Sequence, residues 1–383
     1  MAAFSPPPPP FPPPLPGRIG RIEIAEIAGG GGGGGVMGVC STEPFHGHSV
    51  AYSPYSYTGV RRLAVATSQY YGLVGNGRLY VVDHVEATGT CEVVRVFRTL
   101  DVLFDCAWSE RNENHLLTAC SDGAARLWDL SPGGEARPLA SYRMPELGRG
   151  GASLMMMSSS SSTSGPSNPC APNGAYGLQS AEWNGMDREL FACAGGGGVA
   201  VWTVEQERPL ALMTEHRDLV YAAQWSPHKP TLLLSASADS TVKLWDLHSP
   251  RSALTLAAHQ HHAMSCDWNK YSPNVVASAS ADKTVKIWDL RAPFSPLARL
   301  SGHTLPVRRV AWSPHRESLL ASVSYDRTLK MWDVAPGRED ALVYDQQLHG
   351  EFATGLAFSL HVPGEVATCG WDARLVISRS SFF

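Results

Sequence analysis

The sequence predicts an all-β protein, a seven-bladed WD-repeat β-propeller, and it does so through one recurring phrase, its period and the pattern between recurrences. SADSTVKLWD, SADKTVKIWD and SYDRTLKMWD carry Trp245, Trp288 and Trp332, which stand 43 and 44 residues apart. Trp202 lies 43 residues before Trp245, Trp128-Asp129 and Val82-Asp83 mark earlier repeats, and Ser378 follows Trp332 by 46, which makes seven. Between these marks run short segments such as LLSASAD and TVKLWDL. Their period-two polarity, β-branched residues and Ser/Asp turns are those of antiparallel strands.

Taken in chain order, residues 1–35 hold PPPPPFPPPLP (Pro6 to Pro16) and seven consecutive glycines (Gly29 to Gly35). Proline runs favour an extended conformation and glycine runs lose the most entropy on ordering, so a disordered tail is expected there. Residues 36–383 are expected to form one ring. The last repeat reaches the end of the chain with RLVISRSSFF and leaves no room for an outer strand. The segment at about 36–42, VMGVCST, is therefore the expected ring-closing strand. Trp128 and Trp202 are 74 residues apart, about thirty more than one period, and the excess falls on the Ser/Gly/Pro-rich stretch 146–174. That composition reads as a surface insertion between blades two and three.

Within a repeat, a loop His, a strand Ser, a turn Asp and a strand Trp recur at fixed spacing: His216, Ser235, Asp239 and Trp245; His259, Ser278, Asp282 and Trp288; His303, Ser322, Asp326 and Trp332. Buried polar groups have to be paired, and these four can satisfy one another in a hydrogen-bonded chain. Their repetition assigns them a structural role.

Composition excludes several functions. A formal net charge of −4 with no Lys/Arg run argues against a nucleic-acid groove, which needs a basic stripe. Eight cysteines without a CxxC read as free thiols in a reducing compartment. The chain has no secretory leader pattern and no apolar run of 18 residues, so a soluble cytosolic protein without membrane insertion is expected. Phosphate-loop and nucleophile-elbow motifs are missing, and the run from His259 to His262 lacks the further ligands of a metal site. Neither catalysis nor a cofactor or metal is expected.

The positions three and five after each loop His, and the one before each turn Asp, are expected to surround the central channel on one face. Phe104, Tyr221, Met264, Tyr325, Phe352 and Trp371 fall there, with Asp101, Asp218 and Glu351 beside them. An exposed aromatic patch edged by carboxylates suits an amphipathic helix carrying cations. Asp101 and Glu351 are the expected partners of those cations, and Phe104, Tyr221, Tyr325, Phe352 and Trp371 the apolar floor. Arg308, on the same face, has Glu351 or a carboxylate of a partner protein as its candidate counter-charge.

Several phrases lie partly outside the generic repeat: AVATSQYYGLVGNGRLYVVD (Ala64 to Asp83), FDCAWSERNENHLLTACSDG (Phe104 to Gly123), SCDWNKY, VRRVAWSPHRESLLASVSYD (Val307 to Asp326), and EFATGLAFS with GWD. On these the chain, over about residues 45–378, resembles the peroxin-7 family of type 2 peroxisomal targeting signal receptors. The resemblance implies a cytosolic cargo receptor that binds an N-terminal signal of the form Arg-Leu-x5-His-Leu on matrix enzymes. It further implies a co-receptor, the type 1 signal receptor, peroxisomal docking proteins as partners, and shuttling to the peroxisome. Positions 1, 2, 8 and 9 of such a signal share one helix face. A competing reading rests on Trp288-Asp289-Leu290-Arg291, which resembles the WDxR box of substrate adaptors for cullin-type ubiquitin ligases.

Overall fold

A computed structural model describes residues 34–55, 57–72, 75–134, 137–145, 177–249, 251–337 and 340–380. The expected disordered tail, up to residue 33, and the Ser-rich insertion at 146–174 lie outside the described residues. Seven four-stranded antiparallel sheets form the blades of a propeller. In blade four the strands run outward from the channel as Val220–Trp225, Leu232–Ser237, Val242–Asp246 and Ser252–Leu256. The pairing places Leu233 opposite Trp245. No helix among the described residues is long and apolar enough to cross a membrane.

Burial follows distance from the hub. Second strands such as Val275–Ser280 and Leu319–Ser324 are covered on both faces by neighbouring blades and are buried nearly throughout. Outermost strands such as Ser252–Leu256 alternate between half-buried and exposed positions and end on a buried Leu256, as a strand does with one face in water. The apolar interior is divided into seven clusters, each joining the facing sides of two adjacent blades. Between blades four and five, for example, Leu234, Val242 and Leu256 meet Cys266, Trp268 and Trp288. Described cysteines are all buried free thiols.

The seventh blade is completed from the other end of the chain. Strands Ala353–Phe358, Glu365–Gly370 and Arg374–Ser380 are followed outward by Gly34–Ser41. This last strand pairs antiparallel with Arg374–Ser380, Cys40 opposite Leu375 and Gly34 opposite Ser380. It begins two residues upstream of Val36, because Ser380 and Arg379 present edge groups that Gly34 and Gly35 can pair. Gly38 is constrained: a Cβ there would come within 3.1 Å of Cys91 Sγ and of the His84 ring.

In blades four to six the indole, hydroxyl, imidazole and carboxylate form a chain. In blade five Trp288 Nε1 donates to Ser278 Oγ (2.9 Å), Ser278 Oγ donates to His259 Nε2 (2.8 Å), and His259 Nδ1 donates to Asp282 Oδ2 (2.9 Å). The same links measure 2.7 to 2.8 Å around His216 and 2.7 to 2.9 Å around His303. Burial opposes ionisation of Asp239, Asp282 and Asp326, yet the His N–H, a Thr hydroxyl and backbone N–H groups outweigh it and hold all three far below the usual aspartate range. Blade seven carries a variant that the Trp-Asp phrase does not announce. His349 bonds to Thr368 (2.9 Å) and Asp372 (3.0 Å), and Ser378 stands where the tryptophan would be, its buried Oγ without a hydrogen-bond partner among the described residues.

Ser278→Ala leaves the buried His259 Nε2 and Trp288 Nε1 unpaired and should cost about 2–4 kcal/mol in chemical denaturation. Ser378→Ala removes a hydroxyl that already lacks a partner and should be neutral or stabilising in the same assay. Because the turn aspartates have depressed folded-state values, the stability they contribute is complete above about pH 3.9 and is lost as pH falls below it. A midpoint against pH that rose on acidification from pH 5 to 3 would contradict this. Deleting residues 1–30 should leave thermal melting unchanged, whereas deleting 1–44 strips the outer strand of blade seven and should abolish the cooperative transition.

Candidate functional site

One recurring backbone bond builds the mouth of the channel. The N–H of the residue before the turn Asp donates to the carbonyl three residues after the loop His. It does so in Ala238 to Leu219 (2.8 Å), Ala281 to His262 (3.0 Å), Tyr325 to Pro306 (3.0 Å) and Trp371 to Phe352 (2.9 Å). Blade two keeps the bond, Ser121 to Val102 at 3.0 Å, although Thr99 stands where the loop His would be. Two separate loops are thereby clipped together at the rim, and whichever side chains occupy those positions have to meet.

Around blades six, seven and one the rim is aromatic and continuous. Tyr325 stacks on Phe352 at 4.8 Å between ring centroids, Phe352 lies 5.1 Å from Trp371, and Trp371 lies 5.3 Å from Tyr71. Tyr71 stacks on His46 at 4.0 Å, and His46 Nδ1 donates to the Trp371 carbonyl. His48 is edge-on to Trp371 and Phe104 and bonds through Nε2 to Ser68 Oγ at 2.5 Å. Burial, then the charges of Arg308 and His46, push His48 down to about 3, so it is a neutral ring. The Trp371 indole N–H is buried and has no hydrogen-bond partner among the described residues. Tyr221 stands apart from this arc, against His262 at 6.2 Å.

Of the sequence-derived floor, Tyr325, Phe352 and Trp371 form one partly exposed surface, whereas Phe104, 8 % exposed, lies beneath it with its edge against His48. Met264 is buried as well. Glu351 is exposed beside Phe352. Asp101 is committed in part: its Oδ2 accepts from Arg126 Nη2 at 2.9 Å, and Arg126 also holds Asp122 at 2.7 Å. Arg308 forms no pair with Glu351 among the described residues; its Nη1 donates to the Met264 carbonyl at 3.4 Å. On the opposite end of the blades, Arg291 folds back on the aspartate of its own Trp-Asp pair, Nη2 to Oδ2 at 2.7 Å.

Sequence reasoning missed Tyr70, Tyr71 and Leu100. Tyr70 and Tyr71 form a short turn with φ of 50° and 59°, left-handed values uncommon outside glycine. Tyr70 is 58 % exposed and Leu100 84 %. Position counting could not reach Tyr70 and Tyr71, which lie between Val60–Ser68 and Gly77–Val85 where no compact Asp turn occurs, nor Leu100, one place after the Thr99 that stands for the loop His. The signal available was the YYG triplet itself, two aromatics set in a turn.

Comparison with known proteins agrees with this architecture. A propeller family described as EIPR1 beta-propeller matches residues 214–332. The chain is 38 % identical over 334 residues to a mouse protein named peroxisomal targeting signal 2 receptor, covering 87 % of this chain and 93 % of that one. A human protein of the same name is 34 % identical over 196 residues, half of this chain and 49 % of its own. An Arabidopsis thaliana protein named peroxisome biogenesis protein 7 is 37 % identical over 101 residues, covering 26 % of this chain and 31 % of that protein. Extent and identity together place this chain in the peroxisomal targeting signal 2 receptor family.

Proposed function

We propose that this protein is a cargo receptor that binds a type 2 peroxisomal targeting signal, Arg-Leu-x5-His-Leu, as a short amphipathic helix laid across the aromatic mouth of the channel. The observation that carries the reading is the unbroken arc Tyr325, Phe352, Trp371, Tyr71 and His46, with Glu351 open at its edge. The two leucines pack on Tyr325, Phe352 and Trp371, with Tyr221 and the edge of Phe104 extending the floor. Glu351 takes one cation of the signal, and Asp101 contributes less because Arg126 already occupies one of its oxygens.

Two buried leucines contribute about 1.5–3 kcal/mol each, and a charge-assisted hydrogen bond about 1.5–3. Ordering the peptide takes back roughly 2–5 kcal/mol, before the loss of translational freedom. A nine-residue signal alone should therefore bind weakly, and a co-receptor lying over the helix would raise its affinity. The type 1 signal receptor fills that role in this reading. Loaded receptor then passes from the cytosol to docking proteins at the peroxisome.

Fluorescence anisotropy with a labelled Arg-Leu-x5-His-Leu peptide tests the assignment. Glu351→Lys should weaken binding at least about tenfold, the equivalent of 1.4 kcal/mol, without moving the melting temperature, and Trp371→Ala should weaken it further. Asp101→Asn should have the smaller effect, and a scrambled peptide should not bind. Wild-type affinity in both Glu351→Lys and Trp371→Ala would remove the proposed site.

A further inference from the structure

Arg308 is a charge that the ring leaves unbalanced. It lies at the start of the innermost strand of blade six, Val307–Trp312, beside Arg309, and the two arginines fare differently. Arg309 reaches Asp105 Oδ1 at 3.0 Å and Ser49 Oγ at 2.9 Å, and the other Asp105 oxygen accepts the Ala181 N–H at 3.1 Å. That carboxylate is fully used. Arg308 is 8 % exposed, lies 6.0 Å over the Tyr221 ring and makes one long bond to the Met264 carbonyl. Among the described residues no carboxylate pairs with it. Neighbouring His48 is neutral and offers no counter-charge.

A cation taken out of water without a counter-ion destabilises the fold unless another molecule compensates it. Arg308 borders a channel cavity of about 200 Å³, next to the buried Met264, and lies over Tyr221, a position counted onto the docking face. A nine-residue helix is about 12 Å long. At about 100° per residue its fifth position falls midway between positions 1, 2, 8 and 9, on the face that meets the receptor. With the paired anchors on the aromatic arc and its edge, the fifth side chain is the one nearest the hub.

Resting on the docking reading above, we propose that Arg308 sets the charge admitted at the middle of the bound helix: it accepts a neutral or acidic side chain at the fifth position of the signal and rejects a basic one. A second cation there would face the guanidinium across a water-poor gap, where like charges repel far more strongly than in bulk water. A carboxylate would supply the missing counter-ion. Glu351 and Arg308 would thus read opposite charges, one at the edge and one at the centre.

Three capped peptides, identical except for Glu, Gln or Lys at the fifth position, are titrated against wild-type protein, Arg308→Lys and Arg308→Gln. On wild type the Glu peptide should bind at least about tenfold more tightly than the Lys peptide. Arg308→Lys should retain the preference, and Arg308→Gln should bring the Glu-to-Lys ratio close to one. Since each ratio is taken within one protein, a smaller folded fraction in a variant cancels. A ratio near one in wild type, or one that persists in Arg308→Gln, overturns the inference while leaving helix docking intact. Failure of the Gln peptide to bind wild type overturns the docking reading and this inference with it.

Discussion

Everything at the channel mouth depends on the antiparallel pairing of Gly34–Ser41 with Arg374–Ser380. The aromatic arc is drawn from blades six, seven and one, so it straddles the seam where the two ends of the chain meet. Across that seam Thr354 Oγ1 donates to the Gly47 carbonyl at 2.7 Å, Tyr52 donates to Glu365 at 3.1 Å, and Arg61 pairs with Glu365 at 3.3 Å. The apolar cluster beneath is shared by Cys40, Val50, Leu63, Cys369 and Ile377. A ring held shut there keeps Trp371 against His46 and Tyr71. An open ring would separate the two halves of the surface, however well each blade was folded.

Rigidity is distributed unevenly, and the distribution has a chemical logic. Blades four to six carry complete indole-to-carboxylate chains. Blade two keeps the indole-to-hydroxyl half, Trp128 to Thr118 at 3.0 Å, and spends its turn aspartate on Arg126. Blade one has no tryptophan at the corresponding place and secures its strands with a bidentate Arg62 to Asp83 pair at 2.7 and 2.8 Å. Tyr70 and Tyr71 are displayed in the connection between the second and third strands of blade one, and Leu100 just after its outer strand. Non-glycine residues held at left-handed φ tend to occur where surrounding structure enforces them, and functional surfaces are a common setting.

The blade count and the polar chains around His216, His259 and His303 were legible in the sequence because each depends on short, fixed spacings that repeat. The pairs Tyr325 with Phe352 and Phe352 with Trp371 were legible as positions, since one backbone bond fixes them in every blade that has it. Depth was not legible. Phe104 and Met264 occupy rim positions by count, yet both are buried, Phe104 with its edge against His48. Pairing between loop and strand was not legible either: Arg126, on Ala124–Asp129, lies 25 residues from Asp101, in the loop before Leu103, and no periodicity announces their contact. The partial tetrad of His349, Thr368 and Asp372 escaped for a simpler reason, because Thr replaces Ser and Ser378 replaces the tryptophan that marks the repeat.

The charges at the mouth form a pattern that the net charge of the chain conceals. Carboxylates stand at its edge, Glu351 and Asp218 exposed and Asp101 tied to Arg126, while the cation Arg308 sits nearer the axis. The aromatic rings between the two zones are weak acceptors toward cations. Separation of this kind gives a ligand a preferred position, because a cation gains at the edge and loses at the hub over a distance comparable with one turn or two of helix. Apolar surface alone would hold an amphipathic segment in many registers, since burial is non-directional. In the docking proposed above, opposite charges at the edge and near the axis would remove that freedom: the floor would provide the attraction and the charge pattern would set which way a bound segment lies.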